Sequence, residues 1–121
     1  MLKMHVMVVD DSPTERHFAT TILQKAGYAV TTAVDGEDGL EKAAAERPAV
    51  IMLDIILPKM NGYQVLRQLK SAPATRDIKV ILVSSKSQES DRFWGLKQGA
   101  DDYMAKPYPE QALLAAIARH F

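Results

Sequence analysis

Short apolar runs alternate along this chain with segments of helical periodicity. Met4 to Val9 is a β-branched, apolar run that stops at Asp10-Asp11, the pattern of a strand buried on both faces. Ser12-Pro13-Thr14-Glu15 then reads as a helix start: Ser12 caps, Pro13 suits the first helical position, and Glu15 completes a capping box. Phe18, Ile22, Leu23 and Ala26 recur at helical spacing, and Gly27 ends the helix. Tyr28 to Ala33 predicts a second strand, and Gly36 to Glu46 a second helix closed by Arg47-Pro48. Ala49 to Leu53 predicts a third strand ending on Asp54, and a loop with Pro58 and Asn61-Gly62 leads into a helix through Val65, Leu66 and Leu69. Lys79 to Val83 is the fourth strand, ending at Ser84-Ser85, and Glu89 to Gln98 the fourth helix, stopped by Gly99. Asp102 to Ala105 forms a short fifth strand before a helix from Pro109 to His120.

Strands alternating one for one with helices predict an α/β fold, a parallel sheet with helices on both faces. The 121 residues contain no linker, repeat or composition break, so one domain over residues 1–121 with no output domain is expected. Apolar types at 47% and charged types at 25% exclude a disordered tail or a fibre. Fifteen basic side chains balance fifteen acidic ones, so no bulk field draws the chain to nucleic acid or to an anionic membrane. With no cysteine, thiol catalysis, disulfides and thiolate metal sites are out. The apolar run of the third strand, Ala49 to Leu53, falls far short of the ~20 residues of a membrane span. Met1-Leu2-Lys3-Met4-His5 shows no signal-peptide pattern, which makes a cytoplasmic location without membrane insertion the expectation.

In open α/β sheets, ligands sit beyond the carboxyl ends of the strands. Those ends carry Asp10 and Asp11 on the first strand, Asp54 on the third, Ser84 on the fourth and Lys106 after the fifth. Three carboxylates held together repel one another, and burial adds a desolvation cost. A divalent cation relieves both, and oxygen donors without His or Cys suit Mg²⁺. Carboxylates, a hydroxyl and a lysine together read as a phosphoryl site, where metal and ammonium neutralise phosphoryl oxygens. Singly, each residue has a plainer reading: Asp-Asp as a helix cap, Asp54 as a turn residue, Lys106 as a solvated lysine. Their shared position at successive strand ends favours the joint reading.

The motifs are Val8-Val9-Asp10-Asp11-Ser12, Leu53-Asp54 through Asn61-Gly62, Val83-Ser84-Ser85, and Gly99-Ala100-Asp101-Asp102-Tyr103 through Lys106-Pro107. With these, nearly the whole chain resembles the response-regulator receiver domains of the CheY-like type. The resemblance implies a flavodoxin-like, three-layer sandwich with strand order 2-1-3-4-5, an order taken from the family and not from the residues. It implies that Asp54 accepts a phosphoryl group from a phosphohistidine of a sensor histidine kinase. Asp11, Asp54 and the backbone carbonyl of Ile56 would hold Mg²⁺, with Asp10 acting through a water. Lys106 would pair with a phosphoryl oxygen, Ser84 would donate to another, and Lys106-Pro107 would be a cis peptide. Ser84 moving toward the phosphoryl group would let Tyr103 rotate inward, altering the face of the fourth helix, fifth strand and fifth helix that a downstream protein reads. The acyl phosphate would clear by hydrolysis, so the chain is a signalling switch and not an enzyme acting on other substrates. Ile56 and Lys86 stand at variable positions flanking the path of the attacking water; an apolar Ile56 predicts slow self-dephosphorylation.

The segment from Ser85 through Ser87 to Trp94-Gly95, with Gln98 to Tyr103, further resembles the PilH-type regulators of type IV pilus twitching motility. That implies a chemotaxis-like hybrid kinase as phosphodonor. Two other readings stay open: a pseudo-receiver that binds without phosphorylation, and a Mg²⁺-dependent phosphatase with Asp54 as nucleophile. The former usually lacks an acidic residue, the acceptor or the lysine, all present here; the latter would need a substrate pocket and a general acid. Neither a G-x-x-x-x-G-K-[ST] nor a G-x-G-x-x-G pattern occurs, against nucleotide binding. His5, His17 and His120 have no ligand spacing, the six methionines read as core fillers, and Asp101-Asp102 read as a solvated loop. Trp94 reads equally as core packing or as a partner contact.

Overall fold

A computed structural model describes residues 4–86 and 88–121; the expectations for Met1 to Lys3 and Ser87 lie outside them. The elements are β1 (His5–Val9), α1 (Pro13–Lys25), β2 (Ala29–Ala33), α2 (Gly36–Glu46), β3 (Val50–Asp54), α3 (Gly62–Ser71), β4 (Lys79–Ser84), α4 (Glu89–Lys97), β5 (Asp102–Ala105) and α5 (Glu110–Arg119). All pairings are parallel, and the sheet order β2-β1-β3-β4-β5 matches the one the family implied. Each expected element is present, with ends shifted by a residue or so, and α1 and α4 stop just before Gly27 and Gly99.

Strand alternation divides the core in two. Met7, Val9, Ile51, Leu53 and Leu82 face one side, packed by Ala43 of α2 and by Val65, Leu66 and Leu69 of α3. Val6, Val8, Met52, Ile81 and Val83 face the other, against Ala19, Ile22 and Leu23 of α1 and Leu113, Ala116 and Ile117 of α5. β3 lies at the centre of the sheet and is buried along its length, so it carries Asp54 to the pocket on a fixed rail. No helix among the described residues is long and apolar enough to cross a membrane.

Several local expectations need correction. Ser12 caps α1 by accepting from the Glu15 amide at 3.3 Å, but the reciprocal half of the capping box is missing. The Ser12 amide is taken instead by Asp10 Oδ1 at 2.9 Å, which frees the Glu15 side chain. Phe18 and Ala26 are not core residues: Phe18 lies half exposed against Tyr108, and Ala19 takes the buried position. Met7, Met52 and Met104 fill the core as expected, whereas Met4 is exposed. Asp102 is not solvated, and Asp101 is only partly exposed. Asp101 accepts from the Val80 amide and from Lys70, tying α3 to the start of β4. Asp102 opens β5, buried, and binds Arg119 at 2.7 Å, His120 at 3.1 Å and Arg92 at 3.4 Å. Sequence proximity misled here, because these partners come from α4 and α5.

Candidate functional site

The carboxyl ends of β1, β3 and β4 and the segment after β5 meet at one pocket. Asp54 is the last residue of β3, and the next residue bends away while its amide still reaches Val83 of β4 at 3.1 Å. The first turn of α3 closes over that bend: the Gly62 amide donates to the Ile55 carbonyl at 2.8 Å. A Cβ on Gly62 would come within 2.5 Å of the Asp54 carbonyl oxygen, so only glycine permits this approach. Lys106 is aligned by its own amide, which donates to the Ser84 carbonyl at 2.7 Å, and Lys106-Pro107 is a cis peptide.

The Lys106 ammonium sits among three carboxylates, 2.7 Å from Glu15, 3.1 Å from Asp10 and 3.3 Å from Asp54. Oxygens of Asp10, Glu15 and Asp54 all lie within 4.8 Å of one another. Glu15, read from the sequence as a cap residue, is therefore part of the site. Asp11 stands outside that tight group, but lines a cavity of about 290 Å³ with Glu15, Asp54, Ile56, Ser85 and Lys106. Ile56 is exposed at the mouth, and its amide donates weakly to Asp54 Oδ1 at 3.4 Å.

One cation among three anions leaves the site short of positive charge. Burial pushes the Asp54 carboxyl up, Lys106 partly opposes this, and Asp10 pushes it further, to about 6. Burial alone would lower the Lys106 ammonium, but Glu15, Asp54 and Asp10 together raise it above the usual lysine range, so it stays charged. A small, hard divalent cation fits this cluster of carboxylate oxygens and the deficit of positive charge.

Ser84 is fully buried, and its hydroxyl accepts from the Lys86 amide at 3.1 Å. The Lys86 carbonyl in turn accepts from the Tyr103 hydroxyl at 2.8 Å. The backbone of Lys86 thus links Ser84 to Tyr103 through its amide and its carbonyl, a role that no side-chain pattern announces. The Tyr103 ring is already turned inward and buried, so the expected inward rotation starts from a ring that is in place. Gly95 of α4 makes room for it: a Cβ there would meet Tyr103 Cδ2 at 2.9 Å. Arg92 of α4 donates to the Tyr103 carbonyl at 2.8 Å, fastening the helix to β5. Trp94 is exposed along with Phe93 and Leu96 on α4, which decides against core packing. The three histidines lie apart: His5 bonds Thr31 on β2, His120 bonds Asp102, and His17 lies exposed on α1.

Residues 6–118 match the family model described as the response regulator receiver domain. The chain is 46% identical to Protein PilH of Pseudomonas aeruginosa over 93% of both chains. The solved chemotaxis response regulator CheY4 of Vibrio cholerae superposes with a TM-score of 0.93 at 28% identity, over 99% of this chain and 100% of that one. The receiver domain of sensor histidine kinase PA1611 from Pseudomonas aeruginosa, solved with a magnesium ion coordinated in its active-site cleft, superposes with a TM-score of 0.90 at 27% identity, covering 98% of each.

Proposed function

The chain belongs to the response regulator receiver domain family, and from that membership and the pocket's charge deficit we propose a phosphorylation switch with Asp54 as acceptor. In the transfer, a carboxylate oxygen of Asp54 bonds to phosphorus as the P–N bond of a phosphohistidine breaks. The imidazole nitrogen leaves with that electron pair and later takes a proton. Reversal of the signal is attack of water on the same phosphorus, with the Asp54 carboxylate as leaving group. Asp11, Asp54 and the Ile56 carbonyl would hold Mg²⁺, with Asp10 acting through a water, as its counterpart cleft in the PA1611 receiver holds magnesium. Bound there, the ion would neutralise and orient phosphoryl oxygens. Lys106 supplies the remaining positive charge, from a segment fixed on β4 by its own amide.

A phosphoryl group brings acceptor oxygens to Asp54 and replaces the single carboxylate charge with close to two. The Ser84 hydroxyl, donating to one of them, would remain able to accept from the Lys86 amide only in a shifted geometry. The Lys86 backbone, whose carbonyl also holds the Tyr103 hydroxyl, would follow. Phosphorylation on this account favours one arrangement of the β4–α4 loop around an inward Tyr103, a shift of populations and not the creation of a new state. The α4–β5–α5 face, with Phe93, Trp94 and Leu96 exposed, would present the result to a downstream protein. A chemotaxis-like hybrid kinase as donor and control of type IV pilus twitching as output are the finer reading, supported by the likeness to PilH.

The single observation that carries the proposal is the convergence of Asp10, Asp54 and Lys106, from three separate strand ends, on one under-compensated pocket. Its test is intact mass after incubation with a small phosphodonor and Mg²⁺. Wild type is expected to gain one phosphoryl group, lost on chelation of the metal and absent in Asp54→Asn. No gain even from a phosphorylated histidine kinase would favour the pseudo-receiver reading instead.

A further inference from the structure

Glu15 is the carboxylate in the pocket to which the transfer chemistry assigns nothing. Its side chain is free because the amide it would have capped, that of Ser12, is held by Asp10. It makes the shortest of the three contacts to the Lys106 ammonium, 2.7 Å against 3.1 Å for Asp10 and 3.3 Å for Asp54. An ammonium has three protons, and these three carboxylates use them all. We infer that Glu15 is a positioning residue that acts as a brake on the phosphorylated state, competing with Asp54 for the Lys106 ammonium and placing a negative charge beside the phosphoryl group.

The inference rests on the proposed acceptor role of Asp54. Forming the acyl phosphate removes the carboxylate charge of Asp54 and places close to two charges on the phosphoryl oxygens. Lys106 must then turn toward those oxygens, and each step in that direction weakens its bond to Glu15. The Glu15 carboxylate, left near a doubly charged group, raises the energy of the product state more than that of the resting one, where it faces the single charge of Asp54. Its side chain is 46% exposed, so the repulsion is partly screened and depends on salt. With that screening, a charge pair at this range changes the phosphorylation equilibrium by about three- to tenfold.

The test compares wild type, Glu15→Gln and Glu15→Asp as full chains, with acetyl phosphate as donor at saturating Mg²⁺. Intact mass gives the donor concentration at half-maximal phosphorylation, at low and at high salt. In the same proteins without metal or donor, NMR follows proton exchange of the Lys106 ammonium. Glu15→Gln is expected to need about three- to tenfold less donor at low salt, with the gap closing at high salt. Its Lys106 protons should exchange faster, and Glu15→Asp, which keeps the charge, should stay nearer wild type in donor demand. A merely structural role for Glu15 would not produce the salt dependence. Equal donor demand in wild type and Glu15→Gln, or a higher demand in the variant, overturns the inference while leaving the acceptor assignment standing. A wild type that takes phosphoryl from neither acetyl phosphate nor a phosphorylated kinase overturns both together.

Discussion

Asp54 and Asp102 are 7% and 5% exposed, yet their carboxyls are driven in opposite directions. They sit at opposite ends of the parallel strands, one closing the central β3 and the other opening β5. Burial raises both. At Asp102 it is outweighed by Arg119, the Tyr103 amide and His120, and the carboxyl falls below the usual range. At Asp54 the one lysine is shared with Asp10 and Glu15, and the carboxyl rises to about 6. The difference is one of supply: several donors converge on a single carboxylate in one place, and three carboxylates share a single cation in the other. A saturated acid pins α4, β5 and α5 together, whereas an under-supplied acid is left with a demand for further positive charge. That demand is what a metal ion and a reactive acceptor require.

The sharpest way to break this comparison is to neutralise each acid in turn. Asp54→Asn is expected to abolish phosphoryl incorporation completely, and Asp102→Asn to retain it. In metal-free protein their effects on folding should have opposite signs. Removing the charge at Asp54 should stabilise by about 1–2 kcal/mol, since a rise from 3.8 to about 6 means the ionised form opposes folding by about 3 kcal/mol, part of which the lost charged contact to Lys106 offsets. Asp102→Asn should destabilise by about 1–3 kcal/mol, at the low end because Arg92 and Arg119 can turn to water. Urea unfolding from pH 3 to 7 reads both. The penalty from Asp54 is full above its folded value near 6 and fades as pH falls toward 3.8, so the advantage of Asp54→Asn should shrink toward zero near pH 4. The contribution of Asp102 is full above 3.8 and is lost as pH falls through its lower folded value, so Asp102→Asn should converge on wild type only at the acid end. Equal signs for the two variants would refute the account of supply and demand.

A smaller effect sharpens it. Mg²⁺ at ten times its dissociation constant should stabilise the wild type by about 1.4 kcal/mol, read as a rise in melting temperature that a chelator reverses. Asp102→Asn should keep that rise and Asp54→Asn should lose most of it. A rise retained in Asp54→Asn would place the ion elsewhere.

The two acids were not equally legible in the sequence. Asp10, Asp54 and Lys106 follow or end apolar strands, and parallel topology alone brings such ends together. Asp102 was misread because its partners lie 10 to 18 residues away on α4 and α5, where only packing shows which side chains turn toward it. Glu15 was misread for a related reason. The local rule assigned it to a cap three residues back, and a lysine 91 residues away won the side chain. Trp94 could not be assigned because α4 buries only Gly95, so its face has no apolar stripe for periodicity to find.

The last difference between the two acids is access, and it predicts the smallest effect. Asp102 is enclosed by side chains, whereas Asp54 opens on a cavity whose mouth carries Ile56, 61% exposed. Water reaching phosphorus on Asp54 would pass this side chain. Ile56 offers such a water no hydrogen bond; its only polar service to the site is through the backbone, where its amide donates to Asp54. An amide side chain here would hold and orient the water without altering the metal donors, because the backbone carbonyl remains. Ile56→Asn is therefore expected to shorten the lifetime of the phosphorylated protein by about two- to fivefold, or roughly 0.5–1 kcal/mol of barrier. Because the residue is so exposed, its folding stability should stay within about 0.5 kcal/mol of wild type. Decay of the phosphorylated form after removal of donor, followed by intact mass, measures the lifetime. An unchanged lifetime would mean that water reaches phosphorus by another route, and that the open side of Asp54 does not set how long the signal lasts.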